Sequence, residues 1–179
     1  MVNNWFTSDF HLGHRNIIRY CGRPFASVEE MDAAILPNLN KLVGADDVLY
    51  FLGDFCLGGP DQAQQYRDRI VCRNIHVVEG NHDAALSNLA GAFSSLNQLI
   101  EVRVGGQRIV LCHYAMRVWH HSGRGVWHLY GHSHGNLADD PASLSIDVGV
   151  DSHGFHPWHF DEIRTAMNAK RKGTNHEQL

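Results

Sequence analysis

The chain has 179 residues, of which 44% are hydrophobic and 19% charged, and its formal net charge at pH 7 is −4. This length and composition predict one soluble globular domain over residues 1–170, followed by a polar, frayed tail over 171–179. The acidic balance argues against stable binding of duplex nucleic acid, and no stretch approaches the roughly 20 apolar residues of a membrane span. Because the N-terminus resembles no signal peptide and the four cysteines lack CxxC spacing, we expect a cytoplasmic protein with free thiols.

Strands and helices alternate in the N-terminal half. The predicted elements, in order, are strands over about residues 2–8, 48–52 and 74–79 and helices over about 16–20, 28–42 and 61–71. The second helix begins at a capping box formed by Ser27 and Glu30. Pro37 lies inside its apolar pattern and is expected to kink or split it.

The C-terminal half is richer in strands. Residues 83–97 are weakly patterned and predict a short helix with irregular flanks. A hairpin follows, in which Gly105-Gly106 joins strands over 99–104 and 107–112. The remaining predicted elements are strands over about 127–130 and 144–148 and a helix from about Asp161. Alternating strands and helices in the N-terminal half, followed by a strand-rich C-terminal half, predict a two-sheet core flanked by helices.

Five of these strands end in residue types that bind metals. The segments are Asp9-Phe10-His11, Gly53-Asp54, Gly80-Asn81-His82-Asp83, Cys112-His113 and Gly131-His132-Ser133-His134. In open α/β sheets, ligands bind in the crevice beyond the carboxyl ends of the strands. The candidate metal ligands are therefore Asp9, His11, Asp54, Asn81, His113, His132 and His134.

The residue types indicate two divalent cations. Asp54 stands alone after its strand and is the best candidate for a bridging carboxylate. Asp9-x-His11 is expected to be an extended segment that projects both side chains to one face, and His132-x-His134 is expected to do the same on the opposite wall. Oxygen and imidazole ligands without sulfur suit Mn, Fe, Co, Ni or Zn, of which we favour Mn. A purely structural zinc site is the alternative, but such sites are usually four-coordinate and rich in cysteine.

The adjacent residues His82 and Asp83 are the catalytic candidates. His82 follows Asn81 directly and would face the substrate while Asn81 faces the metal. As an imidazolium it could protonate a leaving alkoxide, a general-acid contribution of about 10²–10⁴-fold. Asp83 is expected to orient the ring of His82, although His82 could instead only order water.

Together the five segments resemble the signature of calcineurin-like metallophosphoesterases: D-x-H, G-D, G-N-H-[DE], H and G-H-x-H. Every element occurs in this order between Asp9 and His134. The chain looks most similar to a small capless bacterial and phage subgroup, whose opening S-D-x-H-x-G-H-x-N-I-I matches residues 8–18 and is followed by Arg23-Pro24-Phe25. That subgroup typically has proline where this chain has Ala115, which bears only on local loop shape.

The resemblance implies an α/β fold, a four-layer α/β/β/α sandwich of two mixed sheets flanked by helices. It implies that one cation binds Asp9, His11, Asp54 and His134 and the other binds Asp54, Asn81, His113 and His132, with His82 as the catalytic histidine. The implied activity is hydrolysis of a phosphodiester, possible substrates being a nucleotide or a short oligonucleotide, by a hydroxide that bridges the two cations. A phosphomonoesterase of small metabolites, a non-catalytic scaffold of the same fold and a DNA-repair type of nuclease are the alternatives, the last disfavoured by the short, acidic chain. A monomer or a small homo-oligomer is expected.

Several other histidines and arginines could contact a substrate. These candidates are His14, Arg15, Arg23, Arg117, His120 and His121. The alternative is that they only pack in loops or turns or lie in a solvated basic surface. The cluster of His153, His156 and His159 alternates with aromatic residues and predicts a segment that closes the core over a sheet edge. His76 and His128 alternate with apolar residues and are expected to be hydrogen-bonded within strands.

Overall fold

Parallel strands from the first half of the chain form most of the first sheet. The computed structural model describes residues 2–89 and 91–174, the last three of them as backbone only. Within that part, the sheet has the order β4-β3-β2-β1-β9. Its strands are β1 (Asn4–Thr7), β2 (Val48–Phe51), β3 (Asn74–Val78), β4 (Ser95–Asn97) and β9 (Trp158–His159). β9 pairs antiparallel with β1, so the predicted histidine-rich segment does close an edge of the sheet.

The second sheet contains the predicted hairpin at one edge. Its order is β5-β6-β7-β8. The strands are β5 (Leu99–Val104), β6 (Gln107–Cys112), β7 (Trp127–Tyr130) and β8 (Ser145–Asp147). Gly105 and Gly106 have φ of 55° and 83°, a conformation that glycine adopts without steric cost, and this turn fixes the antiparallel register of β5 and β6. β6, β7 and β8 are parallel.

In the described part of the chain, four α-helices accompany the sheets. They are α1 (Arg15–Tyr20), α2 (Val28–Leu42), α3 (Pro60–Asp68) and α4 (Phe160–Thr174). The Ser27 hydroxyl accepts a hydrogen bond from the Glu30 amide, while the Glu30 carboxylate accepts from the amide of Ala26 rather than that of Ser27. α2 continues unbroken through the exposed Pro37, so the predicted split is wrong; burial of Ile35 and Leu39 on its inner face offsets the lost backbone hydrogen bond.

Alternation along the strands divides the core into two layers. Leu49 and Phe51 of β2 pack with the inner face of α2. Phe6 and Leu52 instead pack with residues of the second sheet, and Ile163 and Met167 of α4 join this layer, as predicted. The mixed α/β architecture of two mixed sheets flanked by helices is thus confirmed. On the outer face of the second sheet, Val110 packs with Trp119 and Val126 of the segment that follows β6.

Three boundaries differ from the sequence prediction. Residues 83–97 contain a 3₁₀ turn (Leu86–Asn88) and the strand β4, which was missed because Ser-Leu-Asn carries no apolar alternation. The helix predicted over 61–71 ends at Asp68. The predicted tail begins within α4 and then lies outside the described residues. In the part of the chain that the structure describes, no helix is long and apolar enough to cross a membrane.

Candidate metal centre

The carboxyl ends of β1, β2, β3, β6 and β7 meet at one edge of the two sheets, and backbone hydrogen bonds hold their loops together. The Asp9 amide donates to the carbonyl of Gly53 over 2.9 Å, and the Gly131 amide donates to that of His113 over 2.9 Å. The Asp9 carboxylate accepts from the amide of His132 at 3.0 and 3.1 Å, which joins the two sheets. The predicted crevice therefore exists.

Asp54 lies at the middle of this crevice. Its Oδ2 is 3.3 Å from Nε2 of His11 and 3.5 Å from Nε2 of His113, while its Oδ1 accepts from the His82 amide over 2.9 Å. Burial alone would raise the pKa of the Asp54 carboxyl, but the interactions with His113 and the His82 amide lower it to about 2. An ionised carboxylate thus stands between two imidazoles.

The seven predicted ligands come together around Asp54. The donor atoms form two groups, and within each group all of them lie within 4.8 Å of one another. One group consists of Asp9, His11 and His134, and the other of Asp54, His113 and His132. Asn81 Oδ1 lies 3.3 Å from Nε2 of His113, beside the second group. His82 also belongs to such a group, with His11 and Asp54.

The donor atoms and their surroundings fit divalent cations. His11 Nε2 is buried and has no hydrogen-bond partner, and burial lowers the pKa of His11 to about 3, so its imidazole is neutral. His113 uses Nδ1 to bond the carbonyl of Leu52 over 2.7 Å, which turns Nε2 toward Asp54. Burial raises the pKa of Asp9 to about 7, although the nearby His134 and His113 oppose this shift. Bound cations would engage all three groups, one cation binding Asp9 and His11 and the other binding His113.

A buried ion pair behind the centre was not predicted. Asp151 accepts from His134 Nδ1 over 2.7 Å, and Arg23 donates to both Asp151 oxygens over 2.8 Å. Arg23 also donates to the backbone carbonyls of Asp9 (2.6 Å) and Phe10 (2.9 Å). The Arg23 side chain has no exposed surface, so the expectation that it contacts substrate is wrong. Its role is to hold the loop that carries Asp9 and to orient His134 through Asp151.

Asp83 has a different partner from the one predicted. Its carboxylate accepts from the amides of Asp54 (2.7 Å), Phe55 (2.8 Å) and Gly80 (2.8 Å), and it is buried. No described hydrogen bond joins it to the ring of His82. Asp83 therefore ties the turn after β3 to the loop that presents Asp54, because those three amides need an acceptor once they are buried.

Five of the seven candidate ligands have left-handed backbone conformations. Their φ values are 62° for Asp9, 50° for His11, 59° for Asp54, 65° for His132 and 48° for His134. The expectation of extended Asp-x-His and His-x-His segments is therefore wrong. Non-glycine residues adopt positive φ at a cost of order 1–3 kcal/mol each, and such strain concentrates at functional sites.

Glycines let the loops approach the carboxylates closely. A Cβ atom on Gly131 would lie 2.5 Å from Oδ2 of Asp9, and one on Gly80 would lie 2.6 Å from the amide of Asp54. Real side chains do not tolerate such distances. These two positions therefore need glycine for the two sheets to close around the site.

The rim of the centre carries exposed rings. The ring of His82 is exposed and lies 5.3 Å from that of His11, and the ring of His14 lies 5.5 Å from that of His11. His14 Nδ1 is buried without a hydrogen-bond partner. Tyr114 is 46% exposed with its ring 4.9 Å from that of His132, and Tyr20 is 63% exposed with its ring 6.4 Å from that of His14. Neither tyrosine was among the substrate contacts predicted from the sequence.

Among the described contacts, none joins the remaining substrate candidates to a candidate metal ligand. Arg15 is exposed and lines a cavity with Arg19 and Ser27. Arg117 lines another cavity, with Trp119, and His120 pairs with Glu101 over 2.6 Å. His121 borders a cavity lined by arginines. The structure thus brings His14, but none of these four residues, to the metal centre.

His76 and His128 are hydrogen-bonded within strands, as predicted. His76 Nδ1 bonds Ser95 Oγ over 2.8 Å, and His128 bonds the carbonyl of Val110 and the amide of Met116 over 3.1 Å. His153 stacks on Trp158 with their ring centroids 3.8 Å apart.

Comparisons with known proteins identify a family model, curated relatives and a solved structure that this chain resembles. The family model described as the calcineurin-like phosphoesterase superfamily domain matches residues 5–146. An uncharacterized protein of Methanocaldococcus jannaschii is 33% identical over 166 residues, covering 89% of this chain and 88% of its own length. The gene 66 protein of Mycobacterium phage L5 is 29% identical, covering 86% and 89%. In fold, this chain is similar to a protein of unknown function from Aquifex aeolicus, with a TM-score of 0.75, 24% identity, and coverage of 92% of this chain and 99% of that one.

Proposed function

The chain belongs to the calcineurin-like phosphoesterase superfamily, and on that premise we propose that it is a metal-dependent hydrolase of phosphodiesters, with nucleotides or short oligonucleotides as the substrate class. The observation that carries this proposal is the ionised Asp54 carboxylate between His11 and His113, at 3.3 and 3.5 Å. A single carboxylate so placed suits a bridge between two cations.

The surrounding residues divide into two ligand sets that share Asp54. Asp9, His11 and His134 would hold one cation with it, and Asn81, His113 and His132 would hold the other. Mn²⁺ is the ion we favour for this oxygen and imidazole donor set. When bound, such ions lower the pKa of water toward about 7 and offset the charge of a phosphoryl group.

His82 is the residue that we propose as general acid. Its backbone amide is fixed on Asp54, while its ring is exposed beside His11. As the bond from phosphorus to the new oxygen forms and the bond to the leaving oxygen breaks, this ring would deliver a proton to the leaving oxygen. A neutral alcohol then departs instead of an alkoxide. Asp83 supports this role only indirectly, by holding the turn in which His82 lies.

The surroundings of the centre favour a diester over a monoester. A phosphomonoester is largely a dianion, and sites for dianions usually add guanidinium or ammonium groups to the metals. Arg23 is buried behind the centre, and Arg15 and Arg117 line other cavities. The exposed rings of Tyr20 and Tyr114 are suited to stacking against nucleobases, which is worth about 1–3 kcal/mol per base.

Two further expectations belong to this proposal. The four cysteines are free thiols, two of them buried, which supports action in a reducing, cytoplasmic compartment. The inter-sheet layer, which also includes residues of α4, supports one domain over residues 1–170.

Turnover of Mn²⁺-loaded protein on bis-p-nitrophenyl phosphate, with p-nitrophenyl phosphate as the monoester comparison, tests the function. Asp54→Asn should lower kcat on the diester by at least about 10³-fold, because it removes charge from a centre where electrostatic terms dominate. Asp46→Asn is the matched control, since Asp46 is exposed and paired only with Arg73 in the described structure. A wild-type preference for the monoester would instead favour the phosphomonoesterase alternative, and no turnover of either would favour a non-catalytic scaffold.

A further inference from the structure

A cavity lined by arginines lies away from the metal centre, and we call it the arginine cavity. Its volume is about 310 Å³, and its lining side chains include Arg103, Arg108, Arg124, Arg171 and His121. Among the residues that the structure describes, no aspartate or glutamate lines it. Four guanidinium groups in one cavity are unexpected in a chain whose formal net charge is −4.

The arginine cavity and the metal centre lie at opposite ends of the same strands. β6 begins at Gln107, which lines the cavity, and ends at Cys112, directly before the ligand His113. β7 runs parallel to β6, beginning after Val126 at the cavity and ending shortly before His132. At about 3.3 Å per residue, the two ends of β6 are about 17 Å apart. A ligand in the arginine cavity would therefore not touch the cations.

Backbone carbonyls accept several of the hydrogen bonds that position the cavity. The Gly125 carbonyl accepts from Gln107 Nε2 and from Arg171 Nη2, each over 2.9 Å. Arg103 donates to the carbonyl of Gly106 over 3.0 Å. Trp119 Nε1 donates to the Val126 carbonyl over 2.9 Å and anchors the loop from which Arg124 projects. The cavity is thus built on a fixed loop and a hairpin turn.

The positive charge of the arginine cavity is only partly balanced. Glu101 pairs with Arg108 over 3.1 Å and with His120. Among the described residues, neither Arg103 nor Arg124 forms an ion pair with a carboxylate. The pKa of His121 is lowered by burial first and then by the positive charges of His120, Arg108 and Arg124. Each of these observations indicates a site that would gain from an anion.

We propose that the arginine cavity binds a ligand that carries two or three linked phosphate groups. The guanidinium group is planar and presents its donors as a fork that matches two phosphate oxygens at once. A single phosphate could engage two such forks, whereas four forks around about 310 Å³ suit a longer, more highly charged group. Val126 is the one apolar side chain among the described residues that line the cavity, so the phosphates and not an apolar body would supply the affinity.

Calorimetric titration of the metal-free full chain with inorganic tripolyphosphate tests this site, with orthophosphate and sulfate as comparison ligands. Tripolyphosphate should bind more tightly than either comparison ligand. The double variant Arg103→Gln/Arg124→Gln should weaken tripolyphosphate binding at least about tenfold, because it removes two guanidinium groups that would donate charge-assisted hydrogen bonds to the phosphates. Arg164→Gln is the matched control, because Arg164 is an exposed arginine on α4 that pairs with Asp161. That control should bind as the wild type does.

Three results would overturn the proposal. Unchanged binding by the double variant would do so, as would an equal loss in Arg164→Gln, which would indicate only bulk charge. Binding that requires added Mn²⁺ would place the anion at the metal centre instead. If the double variant fails to fold, Arg124→Gln alone decides, because Arg124 is exposed and forms no described side-chain hydrogen bond.

Discussion

Replacing Asp151 by asparagine is expected to weaken both the fold and the metal centre. Asp151 is 7% exposed and bonds Arg23 and His134 over 2.7–2.8 Å, while the Arg23 side chain has no exposed surface. Breaking one partner of a buried ion pair costs about 3–5 kcal/mol, because it leaves the other charge uncompensated. For a chain of this size, that predicts a thermal midpoint lower by roughly 6–20 °C. Loss of an orienting group on a metal-binding histidine should also lower metal affinity about 10–100-fold.

Calorimetry of the metal-free protein and competitive chelator titration of Mn²⁺ measure the two effects separately. Asp161→Asn is a suitable control, since its ion pair with Arg164 is exposed and should contribute less than about 1 kcal/mol. The double variant Arg23→Gln/Asp151→Asn should be less destabilised than the sum of the single variants, because it leaves no unpaired charge. A midpoint within 2 °C of wild type, together with unchanged metal affinity, would refute this reasoning.

Three further predictions concern the acid, the rim and the N-terminal region. His82→Ala should retain bound metal and lose at least about 10²-fold in kcat on diesters with poor leaving groups, but much less on p-nitrophenyl esters; equal losses would exclude His82 as the acid. Tyr114→Leu should raise KM for a dinucleotide about 5–50-fold and leave turnover of bis-p-nitrophenyl phosphate nearly unchanged, and an equal effect on both substrates would argue against base stacking. Asp47 accepts from the amides of Asn3 and Gly44 and from Trp5 Nε1, and these bonds lower its pKa although burial opposes them. Its stabilising effect should therefore be present above the unfolded-state pKa of about 3.9 and be lost as pH falls through the lowered folded-state pKa, so Asp47→Asn should cost about 1–3 kcal/mol at pH 7 and progressively less in acid. A destabilisation that does not depend on pH would contradict this assignment.

The ligand residues could be predicted because they follow strands. Each predicted ligand stands directly after, or within four residues of, a strand whose apolar pattern is clear, and parallel strands bring such positions to one edge. The hairpin over Leu99–Cys112 was predictable for a similar reason, since a glycine pair between two apolar runs specifies its turn.

The supporting residues could not be predicted because their partners are distant in sequence. Arg23 and Asp151 are separated by 128 positions, and no local pattern links them. Adjacency suggested that Asp83 serves His82, whereas its carboxylate bonds the amides of Asp54 and Phe55 across the sheet edge. The positive φ values of the ligands also left no mark in the sequence, because aspartate and histidine occur in many other conformations.

Metal stoichiometry with electron paramagnetic resonance of Mn²⁺-loaded protein tests the role of Asp54 most directly. If Asp54 bridges two cations, the wild type should bind two Mn²⁺ ions per chain and show the signals of an exchange-coupled pair. Asp54→Asn should lose that coupling and bind fewer ions, whereas Asp46→Asn should behave as the wild type. One ion per chain in the wild type, or a coupled pair that persists in Asp54→Asn, would contradict the bridging role.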